Sequence, residues 1–207
     1  MRSRLPLLAL PLALAALAPD ARAAEPQRAA PPDTRSGHFY LAPSVGFARP
    51  SGTAEAGVPQ FDRAAWGTSY GGQLGLGISR YVIVGGYGEV VRFGAPVTCE
   101  SCSGHGFTAG AFAQYHLIDH SPFDPWVSYG VGWRSTTFAT PAGDVTYSGV
   151  DFAHLGFGGD WYPTPLVGFG PYLTFDFGRY SARTPGTIGD GALHSFIGVG
   201  LRVVVAP

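Results

Sequence analysis

"YLTFDFG", residues 172 to 178, sets Leu173, Phe175 and Phe177 on one parity and Tyr172, Thr174, Asp176 and Gly178 on the other. Successive side chains of a β-strand point to opposite faces, so this alternation predicts a strand. In a water-soluble sandwich the phenylalanines face the interior and Asp176 the solvent, whereas in a barrel that crosses a membrane the assignment inverts. The choice between the two decides the fold.

The start of the chain bears on that choice. Arg2 and Arg4 precede an apolar run from Leu5 to Leu17 and a small-x-small site at Ala21-Arg22-Ala23, the pattern of a secretory signal peptide over residues 1–23. The run falls short of the roughly 20 apolar residues a spanning helix needs. Residues 24–36, "AEPQRAAPPDTRS", carry Pro26, Pro31 and Pro32 without periodicity and predict a flexible periplasmic segment. Residues 37–207 have the size of one domain. Removing Arg2, Arg4, Arg22 and Asp20 from totals of 13 basic and 14 acidic residues leaves 10 against 13, a net charge of −3 with neutral His. That balance offers no basic surface for nucleic acid, which is excluded as a partner.

Beyond the signal no apolar run is long enough to cross a bilayer as a helix, and frequent Gly interrupts any helical period. Spanning therefore falls to strands, and eight segments qualify: 38–48, 69–79, 81–92, 106–117, 125–135, 148–162, 168–180 and 193–205. Each suits a tilted crossing of about 9 to 11 residues. The connections alternate. Those at 49–68, 93–105, 136–147 and 181–192 are long, while Arg80, "IDHSPFD" and "PTPLV" are short. An up-and-down meander with short turns at one end and long loops at the other fits this rhythm.

The two faces differ in kind. In the last segment Leu193, Ile197, Val199, Leu201, Val203 and Val205 share one parity, opposed by His194, Phe196, Gly198, Gly200 and Arg202. The non-aliphatic face mixes Gly with Glu89, Arg134, His154, Asp160, Asp176 and Arg202. A barrel of eight strands has an interior barely wide enough for the side chains that point into it, and abundant Gly suits such a crowded space. Aromatic residues gather near strand ends: Tyr115, Trp126, Trp161, Tyr162 and Phe169 beside the short turns, and Phe93, Phe107, Trp133, Tyr147 and Tyr180 toward the long loops. Belts at the two bilayer interfaces have this distribution. The expected fold is all-β, an antiparallel up-and-down eight-stranded transmembrane β-barrel, with Phe175 facing lipid and Asp176 the lumen.

With the signal, the strand rhythm and the ending "GVGLRVVVAP", residues 37–207 resemble the small eight-stranded outer-membrane β-barrels of Gram-negative bacteria, the OmpA-like and OmpX-like group. Gly200, Val203 and Val205 match that group's C-terminal assembly signal. The resemblance implies an outer-membrane location, a surround of membrane lipid and lipopolysaccharide, a monomer, and contact with periplasmic chaperones and the assembly machinery during biogenesis. It also implies a structural or surface-interaction role, with loop-mediated contacts to an unidentified partner; a narrow pore for ions or small solutes is the alternative. Pro43 and Pro171 fall inside strands, where each removes a ladder donor and predicts a bulge or irregularity.

Three sets of residues carry candidate chemistry. Glu89, Arg134, Asp176 and Arg202 are expected to form a paired lumen network, since charges facing a narrow, partly dry space must be compensated; the same residues would set ion preference if the lumen conducts. Cys99 and Cys102, in "CESCSGH", are expected to form a loop disulfide in an oxidising compartment, with a metal site completed by His105 as the alternative. His116, His154 and His194 share the lumen parity and are expected to be satisfied individually by neighbours and water, with no cofactor. Some barrels that resemble this chain hydrolyse acyl chains on lipid A with a His and a Ser two positions later on the same strand face. No His here has that neighbour. His120-Ser121 and His194-Ser195 are adjacent and point apart, so no enzymatic activity is expected.

Overall fold

A computed structural model describes residues 35–118, 123–190 and 192–205. The expected signal peptide at 1–23, residues 24–34 of the expected leader, and residues 119–122, 191 and 206–207 lie outside the described residues. The strands are β1 (Phe39–Glu55), β2 (Val58–Pro59), β3 (Gly67–Gly77), β4 (Val82–Phe93), β5 (Ser103–His116), β6 (Phe123–Thr140), β7 (Gly143–Trp161), β8 (Val167–Thr184) and β9 (Leu193–Val205). From β3 onward each pairs antiparallel with the next, and β1 pairs with both β3 and β9, which closes eight strands into a barrel. The two-residue β2 folds back on β1. Closure leaves no edge strand, the condition for a sheet in a bilayer.

Side-chain parity sets inside from outside. Asp176 is 2% exposed, and Leu173 and Phe177 point outward at 37% and 42%. Leu41, Val45, Leu74, Val90, Val131, Ile197, Leu201 and Val203 continue the outward apolar surface around the barrel. An apolar exterior around a polar interior is the arrangement of a membrane barrel, inverted from a soluble one.

Several strands run further than alternation indicated. The expected long loops at 49–68 and 136–147 are largely strand: β1 continues to Glu55, and β6 and β7 are joined through Pro141-Ala142 alone. Thr137 and Thr146 hydroxyls bond across that hairpin at 2.8 Å, and Gly143 adopts a positive φ of 115° at its turn. An 18-residue strand rises about 60 Å, which outreaches a hydrocarbon core of about 30 Å even when tilted. The extra length is held by an interior cluster toward the long-loop end, where Ala54, Ala64, Phe138, Tyr147, Tyr180 and Phe196 are buried together. The first connection supplies the lid of this cluster. A 3-10 turn at Gln60–Asp62 puts Gln60 inside, where it donates to the Ser51 carbonyl and accepts from the Tyr180 hydroxyl.

The aromatic belts also need correction. Tyr115, Trp161 and Phe169 at one end and Phe107 and Trp133 at the other are exposed, but Phe93, Trp126, Tyr147 and Tyr180 are buried inside, and Tyr162 packs on an interior cluster. Their parity, not their closeness to strand ends, decides their face. Neither proline causes a bulge. Pro43 opposes Gly72 and Pro171 opposes Leu201 in unbroken register, but each is skipped in its strand's other ladder, the irregularity expected where a donor is missing. The register shifts lie elsewhere: on β7 between Asp151 and Ala153, and against β8 near Tyr180.

Glycines on the two faces have different reasons. On the inner face Gly132 lies under Tyr87: a Cβ there would meet the Tyr87 hydroxyl at 2.5 Å and the Ala109 carbonyl at 2.7 Å. On the outer face Gly86 meets only the Gly110 carbonyl, at 3.5 Å. Gly132→Val is expected to destabilise the barrel by about 3 kcal/mol through overpacking, and Gly86→Ala by less than about 1 kcal/mol. Urea unfolding of the refolded barrel in vesicles measures both.

Candidate functional site

The lumen holds two charged clusters. In the first, Arg134 on β6 is 1% exposed and forks between neighbouring strands, with Nε donating to Asp151 Oδ2 at 2.8 Å and Nη2 to Asp176 Oδ2 at 2.5 Å. The remaining oxygen of each carboxylate takes a histidine: Asp176 Oδ1 meets His154 Nδ1 at 2.5 Å and Asp151 Oδ1 meets His194 Nε2 at 2.6 Å. An ionised carboxylate only accepts, so His154 donates from Nδ1 and His194 from Nε2. Aromatic rings close the cluster. Tyr87 stacks on His154 at 4.3 Å, Tyr180 lies 4.0 Å from His194, and the Arg134 guanidinium sits 4.0 Å over Phe196. Four consecutive strands, β6 to β9, are joined here.

The second cluster spans the lumen. Arg202 on β9 binds Asp160 on β7 in bidentate fashion, Nε to Oδ1 at 2.9 Å and Nη2 to Oδ2 at 2.5 Å. Its Nη1 donates to Gln114 Oε1 on β5 at 3.0 Å and to Gln73 Oε1 on β3 at 3.1 Å. The guanidinium lies 3.6 Å over the Trp126 ring, a desolvated cation–π contact. From Gln114 the chain of bonds continues to His116 Nε2 at 2.8 Å, from His116 Nδ1 to Asp124 at 2.7 Å, and from Asp124 to Arg35 at 2.5 Å. Arg35 also donates to the Arg80 carbonyl in the first short turn. The residue ahead of the expected barrel start is thus bonded to the barrel's short-turn end.

Between the clusters a cavity of about 50 Å³ is lined by Glu89, Gln73, Ser128, Tyr172, Thr174 and other residues. At roughly 10 to 15 Å³ per probe-sized water position, it has room for a few waters. Glu89 lines this cavity, and the ion pairs of both guanidinium groups go to Asp151, Asp176 and Asp160 instead. The structure therefore brings Arg134 and Asp176 together and separates Arg202, which takes Asp160 in place of Asp176. Each of the three lumen histidines bonds a carboxylate through one ring nitrogen, which fixes the ring's orientation.

Asp151 and Asp124 are the functional carboxylates that alternation missed. Asp151 has the wrong parity for a strand whose His154 and Asp160 point inward. A bulge reconciles them: β6 pairs Gly130 with His154 and Gly132 with Asp151, so two residues of β7 oppose one of β6. Such a bulge leaves no periodic signal, because one added residue inverts the parity. Asp124 lies just outside the expected segment 125–135, whereas β6 starts at Phe123.

In the connection before β5, Cys99 and Cys102 form a disulfide. His105 lies on β5 and points outward, opposite Arg92, with no group of three metal-ligating residues gathered among the described residues. Thiol titration of unreduced protein is expected to find no reactive thiol, and two after reduction. A second expectation concerns the buried charges. Arg134→Met should cost about 3 to 5 kcal/mol because Asp151 and Asp176 lose their partner. Adding Asp151→Asn and Asp176→Asn should recover most of that loss, and urea midpoints in vesicles compare the two.

No protein-family model and no curated protein matches the chain. Among solved structures it is similar to Neisserial surface protein A, with a TM-score of 0.53 and 17% identity over 80% of this chain and 96% of that one. It is also similar to the attachment invasion locus protein Ail of Yersinia pestis, with a TM-score of 0.47 and 13% identity over 81% and 99% of the two chains. Outer membrane protein OprG from Pseudomonas aeruginosa gives 0.48 and 11% over 83% and 97%. At this identity the likeness to the Neisserial protein concerns the fold, and it agrees with the closed ladder and the apolar exterior. The chain has the fold of the small eight-stranded outer-membrane β-barrels.

Proposed function

We propose that the protein is a closed, structural barrel of the outer membrane whose long-loop end makes surface contacts, exported by the signal at residues 1–23. The observation that carries this reading is the filled lumen. Arg202 reaches across it to Asp160, Gln114 and Gln73, and Gln60 and Tyr180 pack beneath the first connection. Among the described residues, the cavity between the two clusters has room for only a few waters. Breaking a buried, bidentate ion pair to open a path costs several kcal/mol, which opposes a conducting state at rest. Loop surface is where such a scaffold presents variable contacts.

The test is planar-bilayer recording of refolded protein, with heat-shifted gel mobility as the folding control. Folded protein is expected to be electrically silent. Discrete conductance steps that disappear in Glu89→Gln would instead identify a narrow pore running past the cavity.

A further inference from the structure

The outer wall formed by β3 to β6 carries a feature that the lumen does not explain. Near its long-loop end lies an open groove of about 1180 Å³, whose lining includes Tyr70, Val90, Arg92, His105 and Phe107. Arg92 and His105 are directly paired across β4 and β5, and both point outward. Opposed residues of an antiparallel pair hold their Cβ atoms about 5 Å apart, so the guanidinium and the imidazole form one cationic, donor-rich head. Neither has an ion-pair partner among the described residues. The only carboxylates on these four strands, Glu89 and Asp124, belong to the lumen. These strands therefore present two outward basic side chains and no outward carboxylate.

Below the pair the wall is apolar and shallow. The next outward pair is Val90 with Phe107, followed by Gly88 with Ala109, Gly86 with Ala111 and Val84 with Ala113. Larger side chains flank this strip: Leu74 beside Gly86 on β3, and Trp133 and Val131 beside Ala109 and Ala111 on β6. The strip's glycines are not required by packing inside the protein, since a Cβ at Gly88 would meet nothing closer than 3.8 Å. A trough bounded by Leu74 and Trp133 and headed by Arg92 and His105 matches an amphiphile in both charge and shape.

We infer that this wall binds a phosphorylated glycolipid of the outer leaflet, lipid A, with a phosphate on Arg92 and His105 and an acyl chain along the trough. Arginine's planar fork suits phosphate oxygens, and the imidazole adds an N–H donor. A cation near the interface is also where its cost on a lipid-facing wall is small. The inference rests on the outer-membrane reading, because only a barrel in that bilayer meets this lipid along its wall.

Native mass spectrometry of the full mature barrel in detergent tests it, with diphosphoryl lipid A, its dephosphorylated form and inorganic phosphate as probes. Wild type is expected to retain one diphosphoryl lipid A, to bind the dephosphorylated form about tenfold more weakly, and to ignore free phosphate as a competitor. Arg92→Ser combined with His105→Ser should lose about tenfold as well, and Gly86→Leu, which fills the trough, should weaken binding while leaving the charges in place. Equal retention of the two lipid A forms by wild type overturns the inference whether or not any variant folds. So does unchanged binding in the double variant, or full competition by free phosphate. Insertion of wild type into phosphatidylcholine vesicles, read by protease protection, separates the two readings. A chain that fails to insert refutes the membrane reading, and one that inserts without selecting lipid A refutes this inference alone.

Discussion

Every charged side chain in the barrel's interior depends on one constraint, the narrowness of a lumen enclosed by eight strands. Arg134 has no route to bulk water, and its fork onto Asp151 and Asp176 is the arrangement that keeps it charged. The two histidines then follow, because each takes the carboxylate oxygen that Arg134 leaves. Tyr87 and Tyr180 follow in turn by covering the imidazoles. Arg202 meets the same constraint by reaching across the barrel. Strands distant in the sheet order are thereby tied through the middle as well as around the wall.

Lipid outside and a filled lumen inside make opposite demands on small residues. Within, Gly132 makes room for Tyr87, and Gly46 and Gly200 each lie close beneath the Tyr172 hydroxyl. Outside, Gly86 and Gly88 shape a wall that faces membrane, where a Cβ would meet nothing of the protein closer than 3.5 Å. The long-loop end resolves a third demand. Strands that outreach the bilayer need an interior of their own, and Phe138, Tyr147, Tyr180 and the returning first connection provide it.

Much of this was legible from residue order. The alternation in "YLTFDFG" placed Asp176 inside and Phe177 outside, and the eight segments recover the eight barrel strands, 193–205 with the same bounds, 69–79 and 81–92 shifted by one or two residues, and the others shorter. Strand length was illegible where Thr, Ser and Gly between Arg134 and Val150 read as a loop. In the structure those residues form the β6–β7 hairpin, because cross-strand pairs such as Thr137 with Thr146 hold its outer face while Phe138 and Tyr147 bury its inner one. The cluster was half legible. Arg134 and Asp176 share even parity and meet, but the partner of Arg202 required knowing which strands face each other across the lumen. Asp151 required the bulge.

That bulge has a consequence for assembly. The β6–β7 hairpin buries Phe138 and Tyr147 on one face, and that face penalises a slip. In β7 the inversion of parity between Asp151 and His154 adds a second penalty: a slip of one residue turns Asp151 or His154 toward lipid and strips Arg134 or Asp176 of a bond. The extra residue thus acts as a proofreading notch, allowing one alignment of β6, β7 and β8 to close around the guanidinium and leaving misaligned intermediates open.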